Sequence, residues 1–154
     1  DMELVDEIRI KADRDTVFAA LNDIDVLQRA IPGCEKLEAI SPTEFSGVVV
    51  AKVGPMKARF AGSVTLSDVK APESYTLVGA GKGGVAGYAK MRTLVSLVDE
   101  GDSTLMRYEV KADIGGKLAQ LGGALITKTS KKLAGVFFSN FEAIVNGENE
   151  PSSE

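Results

Sequence analysis

The sequence predicts one α+β domain in which a curved, seven-stranded antiparallel sheet wraps around a long C-terminal helix, with two short helices after the first strand. Three observations carry this prediction. Between Glu35 and Ile114 apolar and polar residues alternate, broken at short intervals by turn residues. Between Lys117 and Asn146 the apolar spacing becomes helical and no proline occurs. Two short apolar stripes, each behind an aspartate, precede the alternating region. A sheet with one apolar face and a helix with one apolar stripe bury each other most compactly when the sheet curves round the helix.

The elements follow in order. Glu3–Lys11 puts Leu4, Ile8 and Ile10 on one side and reads as a strand. Asp13 is placed to cap Arg14–Leu21, where Val17, Phe18 and Leu21 form a stripe. Asp23 caps a second short helix through Val26, Leu27 and Ala30, ended by Pro32-Gly33. Six strands come next: Glu35–Ile40, Glu44–Val53, Met56–Val69, Tyr75–Gly81, Ala86–Val98 and Thr104–Ile114. Turns at Ser41-Pro42, Gly54-Pro55, Pro72-Glu73-Ser74, Gly83-Gly84 and Glu100-Gly101-Asp102 are short enough to make neighbours antiparallel. After Gly115-Gly116, the residues Leu118, Leu121, Leu125, Leu133, Val136, Phe137, Phe141 and Ile144 share one helical face. They predict an unbroken helix of about 29 residues, roughly 43 Å long. Gly122, Gly123 and Gly135 each cost it about 1 kcal/mol against alanine, and so predict a bend or a close neighbour. Residues 2–147 then form the domain, and 148–154 a flexible acidic tail.

Composition narrows the function. At 154 residues the chain can bury a full core. A net charge of −4 gives no bulk attraction to nucleic acid. The single cysteine, Cys34, forbids an internal disulfide and fits a reducing compartment. With no histidine, the commonest general base and the commonest metal ligand are both missing. Met2 reads as the natural start, with no signal peptide after it. No apolar run is long enough to cross a bilayer as a helix.

The inner faces of the predicted strands are rich in small residues: Gly47, Ala51, Ala58, Gly62, Gly79, Gly81, Ala89 and Ala112, among Phe45, Phe60, Tyr75, Met91, Met106 and Tyr108. Small residues facing a helix either let it sit close, or leave a cavity between sheet and helix. We expect the cavity, closed by the two short helices. Apolar pockets with few polar groups suit lipophilic ligands.

Other motifs add little chemistry. Gly79-x-Gly81-x-x-Gly84 spells a dinucleotide fingerprint, but a strand follows it rather than a helix, so a flexible turn is expected. Cys34, without a histidine, reads as a small buried residue rather than a nucleophile. Tyr75, Tyr88, Tyr108 and Thr93 are the polar groups placed to touch a ligand, or simply core residues with a local hydrogen bond. No paired carboxylates and no metal-ligand spacing stand out. Lys128, Lys131 and Lys132 share one helical side. They form either an ordinary solvated face or a dock for anionic head groups or an acidic partner.

Four stretches carry a family resemblance: Ile31-Pro32-Gly33-Cys34-Glu35, Val53 to Gly62 (VGPMKARFAG), Gly81 to Gly87 (GKGGVAG) and Gly115 to Gly122 (GGKLAQLG). With the element order, they resemble the CoxG family, the G-type subunits of carbon monoxide dehydrogenase, within the START-like, Bet v 1-like helix-grip superfamily. The resemblance runs from residue 2 to 147. It implies a helix-grip fold whose cavity takes lipids, sterols or polyketide-like aromatics. It also implies two partners: a molybdenum carbon monoxide dehydrogenase or related hydroxylase, and the cytoplasmic membrane. The implied location is cytoplasmic, peripheral at the inner face of that membrane.

The expectation is a non-enzymatic binding protein holding a respiratory quinone, menaquinone first, with no covalent cofactor and no metal. The expected wall is Phe60, Gly62, Met91, Tyr108, Leu121, Leu125, Phe137 and Phe141. The expected partner or membrane surface is Lys128, Lys131 and Lys132. The alternative is a membrane-recruitment or maturation adaptor with no ligand role. An enzyme of the same superfamily, a cyclase or hydratase, fits least.

Overall fold

The computed structural model describes residues 1–148. Apart from Glu148, the expected acidic tail lies outside the described residues. Strand β1 (Met2–Ile10) leads into helices α1 (Arg14–Leu21) and α2 (Ile24–Ala30). Strands β2 (Cys34–Ser41), β3 (Glu44–Val53), β4 (Met56–Lys70), β5 (Ser74–Lys82), β6 (Tyr88–Asp99) and β7 (Thr104–Gly115) follow. A single 3-10 turn, Gly84–Ala86, interrupts the path from β5 to β6. Helix α3 (Gly123–Val145) ends the domain.

The sheet order is β1-β7-β6-β5-β4-β3-β2, with every neighbouring pair antiparallel. From β2 to β7 each strand lies beside its sequence neighbour, because the turns are too short for anything else. Strands β1 and β2 are the exception and lie at opposite edges. Helices α1 and α2 therefore bridge the two edges and close one side of the curved sheet.

Local chemistry sets the two helix starts. Asp13 accepts hydrogen bonds from the Thr16 amide at 3.2 Å and the Thr16 hydroxyl at 2.7 Å. Asp23 accepts from the amides of Asp25 and Val26 at 2.9 and 3.4 Å. Each cap satisfies amides that a first turn otherwise leaves open. Two buried polar side chains then tie helices to the rest. The Thr104 hydroxyl donates to the Ala12 carbonyl at 2.7 Å. The Asn140 amide donates to the Ala30 carbonyl at 3.1 Å, fixing α3 to the end of α2. The core is centred where these elements meet, on the fully buried Ile10, Val17, Val95 and Phe141.

The C-terminal helix departs from expectation. It is not continuous from Lys117. A 3-10 segment runs from Gly116 to Leu121, Gly122 breaks the path, and α3 is 23 residues long. Gly122 has φ +95, outside the helical range and open chiefly to glycine. The bend expected from the glycines is therefore there, as a full break. Gly135 does not mark a close neighbour: a Cβ there would meet nothing within 4 Å.

A candidate apolar cavity between sheet and helix

Along β3 to β7 the inward positions mix large and small residues, and α3 does not fill the centre of the sheet. It packs mainly on α2. At its N-terminal end it rests on the rim, with Leu125 against the Gly54 turn and Ser130 bonded to Met2 on β1. A cavity of about 510 Å³ remains. Its floor is the inner face of β3 to β7 with Leu37 of β2, its roof is Ala134, Phe137 and Phe138 of α3, and its side is Leu21, Leu27 and Ile31 from α1, α2 and the linker after it. No carboxylate, amine or guanidinium side chain lines it.

Glycines create the space in two ways. A Cβ on Gly62 would fall 2.2 Å from the Ala80 carbonyl oxygen, so here glycine lets β4 and β5 approach. A Cβ on Gly81 would meet only ordinary contacts, at 3.7 Å from the Ala61 oxygen and 3.9 Å from the Phe60 Cβ. At Gly81 the missing side chain is therefore free volume rather than a backbone necessity.

The polar groups of the lining are few. Thr93 donates to the Met91 sulfur at 3.1 Å. Tyr75 is 4 % exposed and stands edge-on to Phe18, with ring centroids 5.8 Å apart. Burial pushes its phenol well above the ordinary tyrosine value, so it stays a neutral donor. The Tyr108 phenol is raised first by burial and then by the charge of Asp6. Such a surface can bury hydrocarbon and offer a few hydrogen bonds.

Of the eight residues expected in the wall, Phe60, Gly62, Met91, Tyr108 and Phe137 line the cavity. Leu121, Leu125 and Phe141 do not. Leu121 sits in the 3-10 segment before the break. Leu125 covers Gly54 at the rim. Phe141 is fully buried behind the wall, stacked on Phe137 at 5.8 Å. Ala51, Ala58 and Ala112 also lie outside the lining. Val64, on the same strand face as Phe60 and Gly62, lines it too, as do Leu37, Val49 and Leu77, which lie outside the expected wall although strand parity alone points them inward. Leu27 and Ile31 carried no such signal, because only the packing of α2 brings them in.

The remaining candidates are dispersed. Gly79 and Gly81 lie within β5, in the lining, and Gly84 lies in the turn beyond, so the glycine fingerprint opens no helix. Cys34 is half-buried and donates to the Lys36 carbonyl at 3.5 Å, and burial raises its thiol. It borders a second recess of about 640 Å³, with Gln28, Arg29, Lys57 and Arg59, where Arg59 is paired with Glu35. Ile31 lines both spaces. Tyr88 is on the outer face, beneath the Lys90 amine at 5.9 Å from the ring centre. Lys128, Lys131 and Lys132 are exposed along α3. Among the described residues no group of three or more His, Cys, Asp or Glu could hold a metal, and no helix is long and apolar enough to cross a membrane.

An antiparallel sheet gripping a C-terminal helix around an apolar cavity is the helix-grip fold. The model of the carbon monoxide dehydrogenase G-subunit (CoxG) family matches residues 7–146, and the chain belongs to that family. Among solved structures, a conserved protein from Geobacillus kaustophilus is similar with TM-score 0.89 and 24% identity, over 95% of this chain and 96% of that one. A START superfamily protein from Mycobacterium smegmatis follows the same fold with TM-score 0.69 and 13% identity, over 94% and 99% of the two chains. Truncated norcoclaurine synthase from Thalictrum flavum does so with TM-score 0.61 and 15% identity, over 96% and 94%. No curated protein sequence matches the chain.

Proposed function

We propose that this protein is a carrier that holds a respiratory quinone, menaquinone first, in the cavity. It takes the quinone between the cytoplasmic membrane and a molybdenum carbon monoxide dehydrogenase or related hydroxylase, from the cytoplasmic side. The observation that supports this is the 510 Å³ space lined by apolar side chains and two neutral tyrosines. Its size falls in the range of about 300–1,000 Å³ usual for small-molecule sites. Affinity would come from burying an isoprenoid tail at about 25 cal/mol per Å², less the cost of ordering it. The tyrosine and threonine hydroxyls would meet the quinone oxygens. Nothing in the lining can exchange a proton near neutral pH, which suits holding a ligand rather than transforming it.

The test is extraction of the protein from a quinone-containing host, followed by mass spectrometry. Stoichiometric menaquinone or ubiquinone is the expected result. A different lipid would keep the cavity and remove the electron-transfer role. A protein that arrives empty and refuses added quinone would favour the adaptor. Gly81→Phe and Ala134→Phe are the blocking variants, expected to lower occupancy at least tenfold while keeping the fold. Gly62→Trp would displace the β4–β5 backbone, and Leu125→Trp would act at the rim, so neither reports on the cavity.

A further inference from the structure

Three connections meet at one end of the molecule. The β3–β4 turn carries Gly54 against Leu125 of α3. The β5–β6 connection lies over Phe60 through Gly83. The β7–α3 segment presses Gly116 onto Gly87 of that same connection. The stretches that build this end, residues 52–59, 82–90 and 115–132, contain no aspartate or glutamate. They expose Lys52, Lys57, Lys82, Lys90, Lys117, Lys128, Lys131 and Lys132, together with Arg59. Lys52 and Lys57 stand opposite each other across the β3–β4 ladder, a like-charge pair that the free protein does not favour. Asp113 faces Lys90, Glu35 pairs with Arg59, and the start of β1 brings Asp1 and Glu3 to the same end, with Glu3 opposite Lys111; the cations of the three stretches outnumber these acids. At the tip, Val85 is 84 % exposed, on a turn flanked by Gly83, Gly84 and Gly87. The opposite end of the sheet has the reverse sign, with Glu73 at one turn and Asp99, Glu100 and Asp102 at another.

We propose that this end docks on an anionic lipid bilayer, with Val85 entering the head-group layer and the lysines resting on it. The proposal deepens the carrier reading, on which it rests for the membrane as a partner, by naming the surface that meets it. Lipid fits better than an acidic protein for three reasons. Apart from Arg59, which Glu35 pairs, the cations are lysines, strongly hydrated point charges suited to a diffuse anionic layer, whereas protein interfaces favour arginine and aromatics and deplete lysine. One small apolar tip on glycines is enough to enter a lipid surface and far too little for a protein interface of usual area. The acidic far end is repelled by the same surface, so charge alone orients the molecule. The surface takes in the Lys128, Lys131 and Lys132 face of α3 and extends it to the two strand turns.

Vesicle flotation of the full chain tests this, with phosphatidylglycerol–phosphatidylcholine vesicles against pure phosphatidylcholine. Binding is expected only to the anionic vesicles, and is expected to fall as salt rises. The pair Lys82→Ala and Lys90→Ala is expected to weaken it about 30-fold. Val85→Asp is expected to abolish it at unchanged thermal stability, since the side chain touches no core. Anionic vesicles that bind all variants like the parent, or do not bind the parent, overturn the proposal. Dehydrogenase capture lost in the same variants, without vesicle binding, would also overturn it, in favour of a protein partner. Quinone occupancy, measured on the same preparations, separates the two readings. A loaded protein that ignores vesicles sinks only the docking surface, and an empty one that binds them sinks only the carrier.

Discussion

At the residue scale, what matters is which side chains hold the frame and which only line the space. Phe141 and Phe137 lie one helical turn apart, yet Phe141 is fully buried while Phe137 faces the cavity. Phe141→Ala should cost about 3–5 kcal/mol in urea unfolding. Phe137→Ala should cost clearly less, because one side of its ring already faces free volume. Equal losses would mean that the cavity closes in solution. Asn140→Leu should cost about 1–3 kcal/mol by leaving the Ala30 carbonyl without that donor. Asp13 adds a pH signature. Hydrogen bonds from Thr16 hold its carboxyl below the ordinary value of 3.8. A depressed carboxylate gives stability that is present above its unfolded value and lost as pH falls through the folded one. Asp13→Ala should therefore lower the melting temperature at neutral pH, and the difference from the parent should shrink in acid. A constant difference down to acid pH would mean that the cap does not act through its charge.

At the element scale, the break at Gly122 decides where α3 begins, and so what it covers. A continuous helix would have carried Leu121 and Leu125 toward the sheet. The break leaves Leu121 outside and seats Leu125 on the Gly54 turn. Gly122→Ala should be destabilising, since alanine resists φ +95. Gly135→Ala, in an open position inside α3, should stabilise by up to about 1 kcal/mol. Chemical denaturation of the pair checks both signs. The strands were readable because alternation and turn residues act over a few positions. Helix continuity was not, since glycine tolerates both a helix and a break.

At the scale of the whole molecule, ligand and fold are linked. A ligand that binds only the folded state adds about 2.7 kcal/mol at a hundredfold excess over Kd. Added quinone should therefore raise the melting temperature of the parent and leave Gly81→Phe unmoved. A rise of equal size in both would place the ligand elsewhere. Element order, strand parity, both aspartate caps and membership of a helix-grip family are legible in the chain alone, because they rest on local spacing and motifs. Most of the strand residues that line the cavity, from Phe45 and Gly47 to Met106 and Tyr108, are legible in the same way. Packing was needed to show that α1 and α2 bridge opposite sheet edges, that Leu27 and Ile31 reach the cavity, and that Phe141 stands behind it. Packing also gathers three acid-free connections at one end. These features depend on how the sheet curves and where α3 rests, which are set by contacts between residues far apart in the chain, and no local pattern records those contacts.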